Sequence, residues 1–399
     1  MFSLARHHLT RSRETRSAAL RAVVDAVHYG SGMPRALVVA SGGGGDAITG
    51  AVISRRLAPD APAVVMTYAW ERLSPTSIPG PMSASDYANL RLLAPKVYQI
   101  TPDSVRRGPG ASYLPRLAAE LPSELLLLDP DRGAEGLTEQ VIGALEAFDL
   151  DEVMLVDVGG DILADGSEEN LLSPLADALI LAACSRVEAP VSVVVCGPGL
   201  DGELATEDVY HNLRRTNAQE LLSFSTDDYG PVRGIFHWHP SEASGLVAAA
   251  ARGVRASVGV AQGALVALNS HSATAHLMDL AQAVDGRSII AELATTLNLV
   301  EARAISRDQW QQDRQQAGVA RIKSTEPAES DRFEDAMNEA RNAGATYVTP
   351  RHIASRTGRS ADEVRLWLSA NWQSRYDPPL VLLVEETNER ATSTGKEDP

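Results

Sequence analysis

Residues 36–47 read Ala-Leu-Val-Val-Ala-Ser-Gly-Gly-Gly-Gly-Asp-Ala: an apolar run, a glycine bend, then the opening of a helical pattern. The same grammar recurs along the chain. Apolar runs stand at Ala36–Ala40, Ala63–Met66, Val97–Ile100, Glu124–Leu128, Val153–Val156 and Val191–Val195, and helical segments at Ala47–Leu57, Glu135–Phe148 and Leu175–Val187. Most runs are near-continuous Val, Leu and Ile, as strands covered on both faces require. Strand–helix–strand alternation implies a parallel sheet with right-handed crossovers. The expected fold is α/β: a doubly wound, mostly parallel, Rossmann-like sheet with a C-terminal helical appendage. Gly234–Trp238 and Ala264–Leu268 are expected to extend the same sheet.

Residues 1–298 are expected to form the α/β ligand-binding or catalytic domain, which begins with an amphipathic helix at Arg13–His28. After Asn298 the strand signal stops. Residues 299–384 are expected to form a helical domain, with polar Gln309–Gln316, a linker at Thr325–Ser330 and helix across Arg332–Asn371. Residues 385–399 form a charged tail, expected to be disordered. The stretch Trp70–Asp86, with Pro75, Pro79, Gly80 and Pro81, is too long for a simple connection and reads as a lid or binding loop.

Composition narrows the function classes. With 36 basic against 52 acidic residues, the net charge of −16 argues against a protein that coats nucleic acid or anionic membrane. No apolar run is long enough for a bilayer span, and Met1 to Arg21 lacks the apolar stretch of a secretory leader, so a cytoplasmic location is expected. Two cysteines, Cys184 and Cys196, cannot build a disulfide framework. Lysines occur only at Lys96, Lys323 and Lys396, away from every motif below, which removes weight from phosphate-loop and Schiff-base lysine chemistry.

In an open parallel sheet, ligands bind outside the carboxyl ends of the strands. Three motifs fall there: Gly42-Gly43-Gly44-Gly45-Asp46, Asp157-Val158-Gly159-Gly160-Asp161, and Gly197-Pro198-Gly199-Leu200-Asp201-Gly202-Glu203. Gly42, Gly44 and Ala47 satisfy G-x-G-x-x-A between a strand and a helix, a context in which backbone amides approach a phosphate. A dinucleotide site also wants an acid ending the second strand, where the chain has Thr67 and Tyr68; NAD chemistry is therefore disfavoured. The candidate cofactor-binding set is Gly42, Gly43, Gly44, Gly45, Asp46, Gly159 and Gly160. Asp157, Asp161 and Asp201 are the candidate metal ligands, because carboxylates gathered on one rim repel unless a cation joins them, and Mg2+ would also bridge to a phosphate. Asp46, like Asp131, also reads as an ordinary helix cap; Asp129, Asp165 and Asp177 lie on the same rim, and capping does not explain Asp177.

His237-Trp238-His239-Pro240-Ser241-Glu242 ends an expected strand and opens a helix. Two histidines at i, i+2 on a strand share a face, which suits proton transfer by His237 or His239, or zinc binding with Glu242 or His271 as a third ligand. Ser241 and Glu242 also read as a plain helix start. The candidate catalytic set is His237, His239, Asp201 and Glu203. Farther on, Ala354, Gly358 and Val364 stand at helix-turn-helix offsets, with Arg356, Arg359 and Arg365 adding local positive charge.

At Gly-Gly-Gly-Gly-Asp (42–46), Val-Gly-Gly-Asp (158–161), Ser-Pro-Leu-Ala-Asp-Ala (173–178) and Gly-Pro-Gly-Leu-Asp-Gly-Glu-Leu (197–204), the chain resembles archaeal and bacterial proteins catalogued as a domain of unknown function. The resemblance spans about residues 30–290 and brings no reaction with it. From the residues themselves, the expectation is a Mg2+-assisted enzyme of small-molecule metabolism, biosynthesis included, that acts on a phosphate- or nucleotide-bearing substrate by transferase or ligase chemistry. The alternative is a metabolite-sensing regulator whose segment 346–376 contacts DNA. Self-association into a homo-oligomer is also expected.

Overall fold

The structure is a computed structural model that describes residues 35–70, 81–108, 110–164, 168, 171, 174–261, 263–309 and 329–383. The expected helix Arg13–His28, residues 71–80 of the long loop, Asp165, Ser173, residues 310–328 and the tail from Glu385 lie outside the described residues.

Five parallel strands carry the fold: β1 (Ala36–Ala40), β2 (Ala63–Tyr68), β3 (Ser123–Leu128), β4 (Glu152–Val158) and β5 (Val191–Cys196). Their spatial order is β3-β2-β1-β4-β5. The chain therefore runs outward from β1 on one side, then returns to β4 and continues outward on the other. Ala40 of β1 lies opposite Thr67 of β2 and Val156 of β4. The crevice beyond the ends of β1 and β4 is the topological switch point, where sheets of this type bind ligands.

Side chains alternate across the sheet. Val38, Val65 and Met154 pack on one face with Ala47, Ile48 and Ala51 of α1 (Gly44–Leu57). Leu37, Val39 and Leu155 pack on the other with α2 (Gly133–Phe148) and α3 (Pro174–Cys184). Each fully buried Val, Leu or Ile contributes roughly 1.5–3 kcal/mol, so both faces must be covered and the winding is double.

Antiparallel strands extend the sheet to nine. Thr274–Asp279 pairs with β5 and Gln219–Ser223 lies beyond it; at the other edge Val97–Gln99 pairs with β3 and Arg91–Ala94 follows. The Val97–Ile100 run is thus half of an antiparallel hairpin, turned at Pro95-Lys96 with Lys96 at φ 65°.

Two expected strands are corrected. Gly234–Trp238 is not a strand: Gly230–His237 is a 3-10 helix, and its buried Val232, Ile235 and Phe236 follow a helical spacing. Leu265–Leu268 is a strand of a separate five-stranded sheet, which also holds Ala256–Gly259, Tyr347–Val348, Leu380–Leu382 and Tyr376–Asp377. Strands therefore continue past residue 298. The C-terminal region is helical over Glu329–Asn342, Pro350–Thr357 and Ala361–Asn371, but Tyr347–Val348 pairs in parallel with Ala256–Gly259. Helix Leu299–Gln309 stays with the main body, since Leu299, Ala302 and Ile305 pack into the core beneath α2 and α3.

Candidate functional site at the switch point

The turn after β1 is built around hydrogen bonds to β4. Ser41 N donates to Val156 O at 2.9 Å, and Ser41 Oγ to Asp157 Oδ1 at 3.4 Å. Gly43 then caps α1 with extended backbone. Of the four glycine amides expected to face an anion, that of Gly42 donates to Asp46 Oδ2 at 2.9 Å. The amides that open α1 follow, in a turn where the helix supplies no acceptors of its own.

Asp157, 1% exposed, projects from the end of β4 and accepts from Gly160 N at 2.8 Å. Asp177, 2% exposed, stands at the start of α3. Oxygen atoms of Asp46, Asp157 and Asp177 all lie within 4.8 Å of one another, a spacing able to hold a metal ion. Of the three expected ligands, Asp157 belongs to this trio, whose other members are Asp46 and Asp177.

Asp161 lies next to this trio, joined to Asp157 by a side-chain hydrogen bond. Burial, first, and the charge of Asp177, second, push both carboxyls well above the usual carboxylate range. Asp46 adds to the effect on Asp157, and Asp157, Asp201 and Glu203 to that on Asp161. Two carboxyls this close share a proton unless a cation replaces it.

The turn after β5 closes onto the turn after β4. Gly199 N donates to Gly159 O at 2.7 Å, and Asp201 Oδ1 accepts from Glu203 N at 3.1 Å. Gly159 sits at φ +136°, and a Cβ there would collide with Asp201 Oδ2. Only glycine meets both demands. All three motifs thus meet in one crevice, with Glu203 buried at its side.

The segment 237–242 lies against the glycine bend, but its histidines do not share a face. His237 is exposed at the end of the 3-10 helix, whereas His239 is buried. A Cβ on Gly44 would lie 3.0 Å from His239 Nε2, and one on Gly45 would collide with Ser241 Oγ. His239 Nδ1 accepts from Ser241 N at 3.1 Å, which places the proton on Nε2. Burial, then the neighbouring Arg365, pushes the His239 pKa down to about 3. The imidazole is therefore a neutral hydrogen-bond donor beside the glycine bend, not a group that titrates near neutrality.

The zinc arrangement is not assembled. His271 is exposed, and buried Glu242 accepts from Ala261 N at 3.1 and 3.2 Å, bonds Thr349 Oγ1 and pairs with Arg351 at 3.6 Å.

The helix pair Pro350–Thr357 and Ala361–Asn371 turns at Gly358, φ +72°, with Ala354 and Val364 buried. Its arginines are differently placed. Arg356 pairs with Glu339 at 2.9 Å and Arg359 with Glu363 at 3.9 Å; Arg365 is buried, bonding Asp362 at 2.8 Å and His239 O at 3.1 Å.

Sequence reasoning gave Arg365 only a share in local positive charge and Tyr68 only a place at a strand end; it missed the contact of Arg365 with His239, the Tyr113–Asp362 hydrogen bond of 3.0 Å that docks the same helix, and the burial of Tyr68. Tyr68 is fully buried where a dinucleotide-binding acid would stand; burial and then Asp177 raise its pKa well above the usual value, so it is a neutral phenol. Its place at the end of β2 was the available signal.

Among the described residues no helix is long and apolar enough to cross a membrane. No curated protein and no solved structure matches the chain. A family model does match, over residues 37–310, from the second residue of β1 through β5, and takes in all three motifs of the crevice. The chain accordingly belongs to the family described as "Protein of unknown function (DUF1152)".

Proposed function

We propose that the chain is a cytoplasmic, Mg2+-assisted enzyme of small-molecule metabolism that acts on a phosphate- or nucleotide-bearing substrate by group transfer or ligation. The observation that carries this reading is the trio Asp46, Asp157 and Asp177, whose carboxylate oxygens lie within 4.8 Å of one another beside the start of α1. Hard oxygen donors at that spacing suit Mg2+, which binds through a few carboxylates, retained water and substrate phosphates. When bound, Mg2+ would neutralise charge on a phosphoryl group and orient it for displacement.

The remaining roles fall to the chain's own groups. Gly43, Gly44 and Gly45 lie at the N-terminal, positive end of α1, and their amides would hold phosphate oxygens. His239 Nε2–H would donate a hydrogen bond to the same group. Asp161, hydrogen-bonded to Asp157, would hold a proton that metal binding displaces. The test is calorimetry of Mg2+ binding, followed by thermal shift with Mg2+ plus nucleotides or sugar phosphates. Binding that vanishes in Asp157→Asn supports the reading; no binding to the wild-type chain sinks it.

A second reading, a metabolite-sensing regulator, draws support from the helix pair that touches His239 through Arg365. It requires salt-dependent DNA binding by the full-length chain, and a flat titration at low salt would dispose of it.

A further inference from the structure

Three arginines are more than nine-tenths buried among the described residues: Arg106, Arg287 and Arg365. Two of them make side-chain hydrogen bonds to oxygen acceptors. Arg287 Nη1 donates to Ile162 O at 2.7 Å and Ala283 O at 3.3 Å, and Arg365 bonds Asp362 and His239. Arg106 differs: its Nε and Nη2 are closed to water and have no hydrogen-bond partner among the described residues.

Its place in the fold is informative. Arg106 ends the two-residue strand Val105–Arg106, directly opposite Tyr87 of Tyr87–Ala88, so the two side chains share a face. Tyr87 packs in the core with Ala69, Met82, Leu114 and Leu117, and its hydroxyl donates to Ser112 Oγ at 2.8 Å. A Cβ on Gly44 would meet Leu114 at 3.1 Å and Leu117 at 3.4 Å. Arg106 therefore stands opposite a member of the core cluster that also holds Leu114 and Leu117, two side chains beside Gly44.

Burying an unpaired cation costs several kcal/mol, and a guanidinium does not escape that cost by losing its proton. An apolar side chain opposite Tyr87 would fill the same space without it. The two orphaned atoms form one edge of the guanidinium fork, the edge that takes two oxygens of an oxyanion at once.

We propose that Arg106 is an oxyanion anchor, gripping a phosphate group of the small molecule through Nε and Nη2. Both atoms are shut away, so the covering chain must part to admit it. The choice of phosphate rests on the function proposed above; the anion site itself does not.

The test compares melting temperatures of the wild type, Arg106→Met and Arg106→Lys in chloride buffer, with millimolar inorganic phosphate or malonate added at constant ionic strength and without Mg2+. The wild type should gain stability with phosphate. Arg106→Met should melt roughly 2 °C or more above the wild type in chloride and lose the phosphate-dependent rise. Arg106→Lys, which keeps the charge but not the fork, should lose most of that rise. A phosphate rise of equal size in wild type and Arg106→Lys overturns the proposal, and so does an Arg106→Met chain that melts lower or fails to fold, since the guanidinium would then have a structural partner. A rise with malonate alone overturns the assignment to phosphate. Repeating the titration in Asp157→Asn separates the two ideas: the Arg106-dependent rise should survive there even if Mg2+ never binds.

Discussion

Arg365 donates a hydrogen bond to the backbone oxygen of His239 across 3.1 Å, pinning a helix beyond the family-matched segment to the wall of the crevice. The same guanidinium lies close enough to disfavour a charged imidazole.

Replacing Arg365 with Ala should therefore do two things. Stability should fall by about 1–3 kcal/mol, because a buried carbonyl loses its donor. The His239 pKa, about 3 in the intact chain, should rise. Titration of the ring by NMR reads this directly; an unmoved pKa would show that the two residues are not coupled.

Asp157 and Asp161 make stability depend on pH and metal together. Their folded pKa values lie well above the unfolded value near 4, so their ionisation is disfavoured in the fold. Without Mg2+, the melting temperature should fall as pH rises above about 4, and Asp157→Asn should flatten that fall. Saturating Mg2+ should restore stability most at the highest pH. A Mg2+ effect of the same size at every pH would contradict this arrangement.

Glu152 opens β4, at the end of the strand away from the crevice, and burial with a smaller effect of Asp151 pushes its pKa up to about 7. The penalty of ionising it is absent below the unfolded pKa, grows from about 4.3 to about 7, and is complete above. Glu152→Gln should thus be neutral at pH 4 and stabilising at pH 8, by on the order of 1–3 kcal/mol, in denaturant titrations at the two pH values.

Gly159→Ala meets both an unfavourable φ of +136° and the carboxylate of Asp201. A loss of roughly 1–3 kcal/mol is expected in the melting curve. Adding Asp201→Ala should recover the part due to collision and leave the part due to φ, which a double-mutant cycle separates.

Much of the sheet was readable from the chain alone because β1 to β5 are buried on both faces and so appear as unbroken apolar runs. Where strands are short or carry polar residues, that signal disappears. Thr274–Asp279 contains His276 and Asp279, and Tyr347–Val348 is only two residues long. Gly234–Trp238 looked like a strand because Ile235 and Phe236 are adjacent; Val232, three residues before Ile235, carried the helical period. Leu265–Leu268 is a strand, yet its sheet is chosen by a partner, Ala256–Gly259, and by pairing with a segment some 80 residues later. At the site, the rule of strand ends placed all three motifs correctly. It could not tell which carboxylates approach most closely, since Asp177 arrives on α3 and Asp46 on α1, from opposite faces of the sheet. Nor could it foresee Arg365, which reaches the crevice from the far end of the chain.

The pairing of Ala40 with Val156 has an implication for how this protein can vary. Asp157 follows the parity of Val153 and Leu155, turned toward α3, while Val156 and Val158 face α1. One residue gained or lost inside β4 would invert that parity, burying the acid among the alanines of α1 and offering a valine to Asp177. Length can drift in the flanking turns, but within this strand only changes in pairs leave the carboxylate where it is.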